Sequence, residues 1–413
     1  MYYIRRFKFH RLKVRLMTGP ALLNHPANPL AKFRGNRLPS ICFVAQYAYG
    51  AMMGGSGGHM GGIERQQSLM ARWLAAHGFQ VSMLTWDEGQ ADELVADGVR
   101  LIKLCQRNEG IPGLRFFHPR WTSLYRALRI ADADIYYHNS AEYVTGQVAA
   151  WCRRHRRKFV YSVASDPACD TRLPTLPKVY ERAFYRYGIH RADRVIVQTR
   201  LQQQMLRAGF GLDSVIVNMP CPGPSASEYE EPRPPAPGQG CVLWVGRMSP
   251  VKRIELLLDV AAAIPEIRFV LAGGAEFETP YSRGILARAR TMSNVTLMGR
   301  VARDLMPKVY REASCLISTS SHEGLPNTFL EAWSYGLPVV STVDPDRLIS
   351  EKALGVVAAD RDGLIDGIRY LIEDPTRWIQ ASRNARRYYT ANHTIDESMR
   401  RFQATFLDLL GTP

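Results

Sequence analysis

The sequence predicts an α/β protein in which two doubly wound, Rossmann-like domains face each other across a cleft. Two observations support this fold class. Short apolar runs alternate with amphipathic segments along most of the 413 residues, and one proline-rich stretch interrupts the alternation near the middle. The length agrees, because about 150 residues per domain gives two or three domains. Alternating strands and helices build parallel sheets that bind ligands at the carboxyl ends of their strands, so we expect a ligand site in the cleft.

The first domain is predicted over residues 39–224, after a basic extension over residues 1–38. Its first strand, at 41–46, is followed by a glycine-rich loop at 49–62, a helix from Ile63 to about Gly78, and a strand at 79–86. This order is a βαβ unit. Further strands are predicted at 134–138, 158–165 and 193–199, with helices at 142–156 and 177–190.

A linker is predicted over residues 225–240, because the stretch from 218 to 240 contains seven prolines and three glycines. The second domain follows at 241–374 and repeats the rhythm. Its strands are predicted at 241–246, 268–274, 295–299, 314–320 and 338–342, and its helices at 252–263, 280–290, 302–312 and 328–335. Residues 375–413 are predicted to form C-terminal helices that cross back to the first domain.

The excess positive charge belongs to the first half of the chain. Residues 1–224 carry 31 Lys and Arg against 15 Asp and Glu, whereas residues 225–413 carry 22 against 23. Such a half suits an anionic membrane or phosphorylated substrates, and no helix-turn-helix, finger, RNP or KH pattern favours nucleic acid. The extension at 1–38 begins with cations that alternate with apolar residues, as in an interfacial segment or a solvated tail.

Composition excludes several classes of protein. Hydrophobic residues at 46% and charged residues at 22% are ordinary for a globular chain and rule out disorder as the main state. No apolar run approaches the ~18 residues that span a bilayer, and the basic start lacks the apolar core of a secretory signal. The seven cysteines are scattered without a CxxC pair, which favours a reducing compartment. We therefore expect a cytoplasmic protein, held peripherally on the inner face of the membrane.

Two cations follow the first strand of the second domain. In VGRMSPVKR (245–253), Arg247 lies at the carboxyl tip of the strand and Lys252 opens the next helix. Free N–H groups and the dipole of a helix start add to the charge of such a pair, which therefore suits a diphosphate. Two solvated surface cations are the alternative interpretation.

Two glutamates frame a turn and a helix start in SHEGLPNTFLEAWSYGLPVVST (321–342). Glu323 follows a strand, and a tight turn leads to a helix that Asn327 or Thr328 caps. Glu331 lies on the first turn of this helix, so the E-x7-E spacing lets both carboxylates face one cleft. The helix N-terminus between them can hold a phosphate. An ordinary helix start, with acids that favour its dipole, is the alternative.

In combination, these residues resemble the donor half of glycosyltransferase family 4, whose members are retaining, nucleotide-sugar-dependent enzymes of GT-B fold. In the second domain the resemblance rests on Arg247, Lys252, NVTLMG (294–299), and Glu323-x7-Glu331 followed by GLPVV. In the first domain it rests on GGIERQ (61–66) at a helix start and on a strand that ends in His138. It covers roughly residues 40 to 410.

The resemblance implies a role for each matching residue. The catalytic groups would be Glu323 at the donor sugar, His138 near the transferred sugar, and Arg247 with Lys252 at the leaving diphosphate. The donor-binding residues would be Gly61, Gly62, Arg247, Lys252, Gly324, Leu325, Pro326, Asn327, Thr328 and Glu331, the last on the nucleotide ribose. No resident cofactor is implied, since a nucleotide diphosphate-sugar is the co-substrate. For His138, a packed histidine at a strand end is the alternative.

Other acidic residues have weaker signals. Asp166 and Asp170 follow a strand of the first domain and either orient an acceptor hydroxyl or begin a loop. Asp-x-Asp matches start at Asp132, Asp344 and Asp360, but the first begins a strand and the others follow the donor motif. We expect no catalytic metal, because cations at the diphosphate can stabilise the leaving group instead.

The sequence thus predicts a retaining, metal-independent glycosyltransferase that transfers a sugar to a glycan acceptor in cell-surface polysaccharide or glycolipid synthesis. The basic first half suggests a lipid-linked acceptor and an anionic membrane surface as partners. A nucleotide-sugar epimerase or hydrolase of the same fold, or a non-catalytic nucleotide- or glycan-binding protein, are the alternatives. The complete set of Arg247, Lys252, Glu323 and Glu331 argues against the last of these.

Overall fold

The computed structural model describes residues 38–54, 61–92, 94–236, 239–275 and 278–411. The predicted basic extension at 1–38 therefore lies outside the described residues, except for Leu38. Within them, two separate sheets with helices, one mixed and one fully parallel, confirm the predicted α/β fold class. No helix of this part of the chain is long and apolar enough to cross a membrane.

The first sheet consists of strands from the first half of the chain. They are β1 (Ser40–Val44), β2 (Gln80–Thr85), β3 (Leu94–Ala96), β4 (Val99–Lys103), β5 (Ile135–Asn139), β6 (Lys158–Ser162), β7 (Arg194–Val197) and β8 (Val215–Ile216). Their order is β3-β4-β2-β1-β5-β6-β7-β8, and only β3 runs antiparallel to its neighbour. The helices of this half are α1 (Tyr49–Met53), α2 (Gly62–Ala76), α3 (Thr122–Ala131), α4 (Val144–His155), α5 (Val179–Arg191) and α6 (Arg200–Phe210).

The second sheet is fully parallel, in the order β11-β10-β9-β12-β13-β14. Its strands are β9 (Cys241–Arg247), β10 (Arg268–Gly274), β11 (Val295–Gly299), β12 (Cys315–Ser318), β13 (Val339–Ser341) and β14 (Gly355–Val357). The helices of this half are α7 (Ile254–Ala263), α8 (Pro280–Arg290), α9 (Met306–Arg311), α10 (Asn327–Ser334), α11 (Leu348–Glu351), α12 (Arg361–Ile372), α13 (Pro375–Asn392) and α14 (Ile395–Asp408).

The strand order reverses next to the first strand of each sheet, which opens a crevice there. β1 lies between β2 and β5, and β9 lies between β10 and β12. Ligands of open α/β sheets bind at such points, outside the carboxyl ends of the strands. The crevices are therefore bordered by the ends of β1 and β5 in the first sheet and of β9 and β12 in the second.

Burial explains why the strands appear as continuous apolar runs in the sequence. Every residue of β1, SICFV, is buried, as is every residue of β12, CLIS. When both faces of a parallel sheet are covered, its strands have no solvent-exposed face that would require polar residues. All seven cysteines are free thiols buried among these elements.

The last helix of the chain packs on the first sheet, while the helix before it packs on the second half. The Tyr137 ring lies 6.1 Å from that of Phe406 in α14, and Trp73 Nε1 donates to Asp396 Oδ1 at 2.7 Å. In α13, Trp378 Nε1 donates to Ser314 O at 2.6 Å. The C-terminal helices therefore link the two halves.

Candidate functional site

The carboxyl edge of the second sheet carries the two cations that the sequence singles out. Arg247 is the last residue of β9, and the N–H of Met248 donates to Gly274 O at 3.0 Å. Lys252 ends a one-turn 3-10 helix, Pro250–Lys252, and α7 begins two residues later. The prediction that Lys252 opens the next helix is therefore wrong. Arg253 adopts a left-handed φ of 44° and separates the two elements.

Lys252 and Glu323 form an ion pair between the two loops that border the crevice. The loops are also tied through the backbone, since Ser321 N donates to Val251 O at 2.9 Å and Thr319 Oγ1 to Lys252 O at 2.7 Å. The side chains of the pair are only 24% and 18% exposed, so water screens their charges less than on an open surface. The crevice thus offers one positioned cation and one positioned carboxylate.

Helix α10 starts immediately after the turn that follows Glu323. Pro326 occupies the N-cap position and α10 begins at Asn327, so the predicted capping by Asn327 or Thr328 is wrong. Proline has no side-chain acceptor, and no other side chain of the described residues caps this helix. Gly324 and Leu325 are buried in the preceding turn. Without a side-chain cap, the first N–H groups of α10 can donate hydrogen bonds to an anion.

Glu331 is the fifth residue of α10 rather than a residue of its first turn, and its carboxylate is held by two groups. Arg303 Nη1 lies 2.7 Å from Oε1, and the Tyr310 hydroxyl donates to Oε2 at 2.7 Å. Burial, together with the charge of Glu331, raises the pKa of Tyr310 well above its ordinary value. A ribose that binds Glu331 would share the carboxylate with these partners. Arg303 and Tyr310 belong to none of the motifs found in the sequence, so their contacts with Glu331 were not predicted.

A cavity of about 320 Å³ opens beside Glu331. Helix α9 and the end of α10 form one wall, and the chain segment that joins the two halves forms the other. Tyr310 and Tyr335 stack in parallel on this wall, with ring centroids 5.5 Å apart. The cavity therefore lies between α10 and the chain segment that joins the two halves.

The start of α2 approaches the start of α10 across the cleft. Gln66 Nε2 donates to Asn327 Oδ1 at 2.7 Å. A Cβ on Gly62 would lie 2.4 Å from Asn327 Nδ2, so a larger residue there would displace the Asn327 side chain. Gly61 is the N-cap of α2. The structure thus brings the predicted Gly62 next to Asn327, and adds Gln66, which the sequence analysis did not select.

His138 lies in β5 and is buried, beside the end of β1. Its Nδ1 is 2.9 Å from Val44 O, and because a carbonyl only accepts, Nδ1 carries the proton. Burial lowers the pKa of His138 to about 4, so the ring is neutral at pH 7. Nε2 then presents a lone pair, and it has no hydrogen-bond partner among the described residues. The ring can accept a hydrogen bond from a hydroxyl, but it cannot supply a positive charge.

Of the two aspartates proposed for the acceptor, only Asp166 faces the donor half. Asp166 Oδ1 accepts from Gln202 Nε2 at 2.9 Å, and a Cβ on Gly324 would lie 3.5 Å from the same oxygen. Burial raises the pKa of Asp166, and the negative charge of Glu323 adds to the shift. Asp170 instead forms an ion pair at 2.6 Å with Arg172, two residues along its own loop.

Glu142 is a further acidic residue of the first half that sequence reasoning missed. It follows β5, and Ser140 Oγ donates to its Oε1 at 3.2 Å. Burial raises the pKa of Glu142, and the charges of Glu64 and Glu181 raise it further. Glu64 lies on the first turn of α2 and Glu181 on the first turn of α5. The charges of Glu64 and Glu181 therefore act on Glu142 from the starts of two helices.

The acids of the Asp-x-Asp matches have structural partners. Asp132 pairs with Arg157, and Asp360 caps α12 through the N–H of Gly363. Asp344 accepts from Ile349 N at 2.8 Å. Asp346 reaches across to the first half, where its carboxylate accepts from Arg200 N at 2.6 Å and Leu201 N at 3.1 Å. These contacts agree with the interpretation of the Asp-x-Asp residues as acids of turns and helix starts.

Models of two protein families match most of the described chain. One, described as a glycosyl transferase 4-like domain, matches residues 61–223, and the other, glycosyl transferases group 1, matches residues 239–374. Among curated proteins, the D-inositol 3-phosphate glycosyltransferase of Mycolicibacterium gilvum is 28% identical over 227 residues, which are 52% of this chain and 48% of that protein. The protein of the same name from Mycolicibacterium smegmatis is 26% identical over 238 residues, 53% and 55% of the two chains. The chain thus spans about half the length of the curated relatives it matches.

Solved structures share the whole architecture. A sucrose-phosphate synthase of Thermosynechococcus elongatus matches with a TM-score of 0.73 at 18% identity, covering 91% of this chain and 100% of that one. HepE of Anabaena, in complex with UDP and glucose, matches with a TM-score of 0.69 at 17% identity, covering 89% and 99%. At such identities the likeness concerns the fold.

Proposed function

Because the chain belongs to the GT4-type glycosyltransferases with a GT-B fold, we propose that it is a retaining enzyme that moves a sugar from a nucleotide diphosphate-sugar to a glycan acceptor. The observation that carries the proposal is the ion pair of Lys252 and Glu323 beside the start of α10. It places a cation, a carboxylate and a helix N-terminus at one crevice, which the glycine start of α2 faces from the other half.

The proposed reaction exchanges one bond at the anomeric carbon for another on the same face of the sugar. The bond from carbon to the diphosphate oxygen breaks, and its electron pair leaves with the diphosphate. The acceptor oxygen bonds to that carbon, and its proton passes to the leaving oxygen. Arg247, Lys252 and the first N–H groups of α10 stabilise the growing negative charge. Glu323 and the neutral His138 bind hydroxyl groups of the sugar.

The donor site is tested by thermal shift with UDP, GDP, ADP and sugar derivatives of each. UDP is the first choice, because the Anabaena structure holds UDP. A nucleotide at 100 times its Kd stabilises the native state by about 2.7 kcal/mol, which is a measurable rise in Tm. The rise should be smaller in Lys252→Met, which removes one of the two cations at the crevice. If no nucleotide raises Tm, the proposed donor class is wrong.

We also propose that the reaction needs no metal, because Arg247 and Lys252 supply positive charge at the crevice. Transfer should persist in excess EDTA. Loss of activity in EDTA that Mn²⁺ or Mg²⁺ restores would contradict this proposal. Acceptors for the assay include inositol phosphates, which the names of the curated relatives suggest, and lipid-linked glycans.

The acceptor is proposed to be lipid-linked, in polysaccharide or glycolipid synthesis at the cytoplasmic face of the membrane. The support is the charge of the first half, where residues 1–224 carry 31 Lys and Arg against 15 Asp and Glu. Cations near an anionic membrane surface attract it, and salt screens the attraction. Comparing turnover of a lipid-linked acceptor with that of its water-soluble glycan tests this part; equal turnover in the presence of anionic vesicles would contradict it.

A further inference from the structure

Four large apolar side chains of the first half point into solvent near one another in the fold. Ile111, Leu114 and Phe117 are 67%, 60% and 61% exposed, and Val179 is 80% exposed. We call these four residues the apolar face. Successive turns join the first three, since Leu114 N donates to Ile111 O at 3.0 Å and Phe117 N to Leu114 O at 3.0 Å. Their spacing of three residues places them on one side of the turned segment.

A cluster of packed aromatic rings joins the two segments that carry the apolar face. The Phe116 ring lies 5.0 Å from that of Phe117 and 5.2 Å from that of Tyr180, which follows Val179. Phe116 also contacts Tyr143 at 5.1 Å and Phe184 at 5.9 Å. The exposed side chains are therefore presented by a packed platform, and burying them would not require the platform to rearrange.

The two chain segments that carry the apolar face are basic. Residues 104–130 contain five arginines and one acid, Glu109, and residues 171–191 contain five Lys and Arg and one acid, Glu181. Lys178 is exposed directly beside Val179. Exposed apolar side chains on basic segments are the pattern of a surface that inserts at an anionic bilayer. A second copy of this chain would bring the same cations against each other.

The position of the apolar face links it to the acceptor side of the cleft. The segment with Ile111 follows the carboxyl end of β4, and the segment with Val179 follows that of β6. Carboxyl ends of parallel strands meet at one edge of a sheet. The same edge carries His138 at the end of β5 and Asp166 after β6. A bilayer held at this face would therefore lie at the acceptor edge of the first sheet.

We propose that the apolar face is the membrane-docking surface of this protein and inserts into an anionic lipid bilayer. This inference rests on the proposed function, because it names the surface through which a lipid-linked acceptor would be reached. It differs from attachment by charge alone, since it requires the uncharged side chains Leu114 and Phe117 to enter the interface.

The test uses the full chain and a pair of neutral double variants. Leu114→Gln/Phe117→Gln alters the apolar face, and Val95→Gln/Val357→Gln is the control, because Val95 and Val357 are exposed at 65% and 39% outside that face. Co-sedimentation with vesicles of phosphatidylglycerol and phosphatidylcholine measures partitioning. We expect the face variant to partition at least tenfold more weakly than wild type, and the control to stay within twofold. Pure phosphatidylcholine vesicles should bind wild type weakly.

Equal partitioning of the face variant and wild type would overturn the proposal, and so would equal binding to neutral and anionic vesicles. A wild-type dimer that becomes a monomer in the face variant with unchanged vesicle binding would assign the face to a second copy instead. A thermal shift with UDP serves as a separate readout of the donor site, and the rise in Tm should be the same in both variants. If that shift is absent from wild type while vesicle binding still depends on the face, the proposed function fails and the docking surface stands.

Discussion

At the scale of single residues, the pair of Lys252 and Glu323 carries most of the proposed chemistry. Its two members are 71 positions apart in the chain, and their loops are joined by one backbone hydrogen bond and one from the Thr319 hydroxyl. In the proposed donor complex, the diphosphate would compete with the carboxylate for the ammonium. The motif allowed both residues to be predicted from the sequence, whereas nothing in the sequence indicated that they would contact each other.

Lys252→Met and Glu323→Gln should each lower kcat roughly 100-fold or more while the protein stays folded. The reason is that each variant removes a group that stabilises charge at the reacting centre. Steady-state kinetics and thermal melting measure the two quantities. Lys308→Met and Glu312→Gln are the controls, since this pair is exposed in the same half at 3.7 Å. Near-normal turnover in either site variant would show that the substituted residue has no catalytic role.

His138 should make folding stability depend on pH. Its pKa falls from an ordinary 6.5 to about 4 on folding, because burial disfavours the charged ring. The unfolded chain therefore binds the proton first, and the free energy of unfolding decreases as pH falls from about 6.5 to 4, by at most ~1.4 kcal/mol per pH unit. Above pH 6.5 the contribution of His138 is constant.

Urea unfolding at several pH values measures this slope. His138→Asn should reduce the slope between pH 6 and 4 by about one proton. His393, whose pKa burial also lowers to about 4, is present in wild type and in His138→Asn and contributes equally to both slopes. An unchanged slope in His138→Asn would show that the ring titrates normally in the folded state.

At the scale of elements, several helices and strands have no clear pattern in the sequence. β4, α6 and α12 were not predicted, because β4 follows a short edge strand closely and α12 contains two glycines. In α12, a Cβ on Gly367 would lie 2.8 Å from Val356 Cγ1, so this glycine allows the helix to pack against β14. The helix is stabilised by burial of Leu364, Ile368 and Leu371 rather than by helix propensity.

Helices α4 and α5 pack closely through glycine. A Cβ on Gly146 would lie 2.3 Å from Phe184 O, so Gly146→Ala should destabilise the protein by about 1–3 kcal/mol through overpacking. Gly284→Ala in α8 is the matched control, since a Cβ there meets nothing within 4 Å and should stabilise its helix by up to ~1 kcal/mol. Urea midpoints measure both changes. Destabilisation of equal size in the two variants would contradict this steric account.

At the scale of the whole molecule, the end of the chain completes the core of its first half. Phe402 and Phe406 of α14 are fully buried, and their rings lie 6.4 and 6.1 Å from that of Tyr137 in the first sheet. The sequence predicts that the C-terminal helices cross back to the first half, and these ring contacts are the physical interactions that hold α14 there. The stability of the first sheet therefore depends on residues some 270 positions later in the chain.

Phe406→Ala should lower the free energy of unfolding by about 3–5 kcal/mol, because it leaves a cavity in the core of the first half. Hydrogen exchange should rise in β5 more than in β12. Tyr370→Ala, at a half-exposed aromatic of α12, is the control and should cost little. Faster exchange confined to α14 itself would show that the first sheet is stable without it.

The sequence alone determined the fold class and the donor motif, because strand–helix alternation, the proline-rich linker and the E-x7-E spacing are local patterns that survive without knowledge of the fold. Tertiary structure alone decided which residues of the two halves meet. Gln66 and Asn327 are 261 positions apart, and Asp346 accepts from α6 across the cleft. Such contacts depend on how two separately patterned sheets pack together, and no periodicity in the chain encodes that packing. The apolar face likewise emerges only when the segments after β4 and β6 fold side by side.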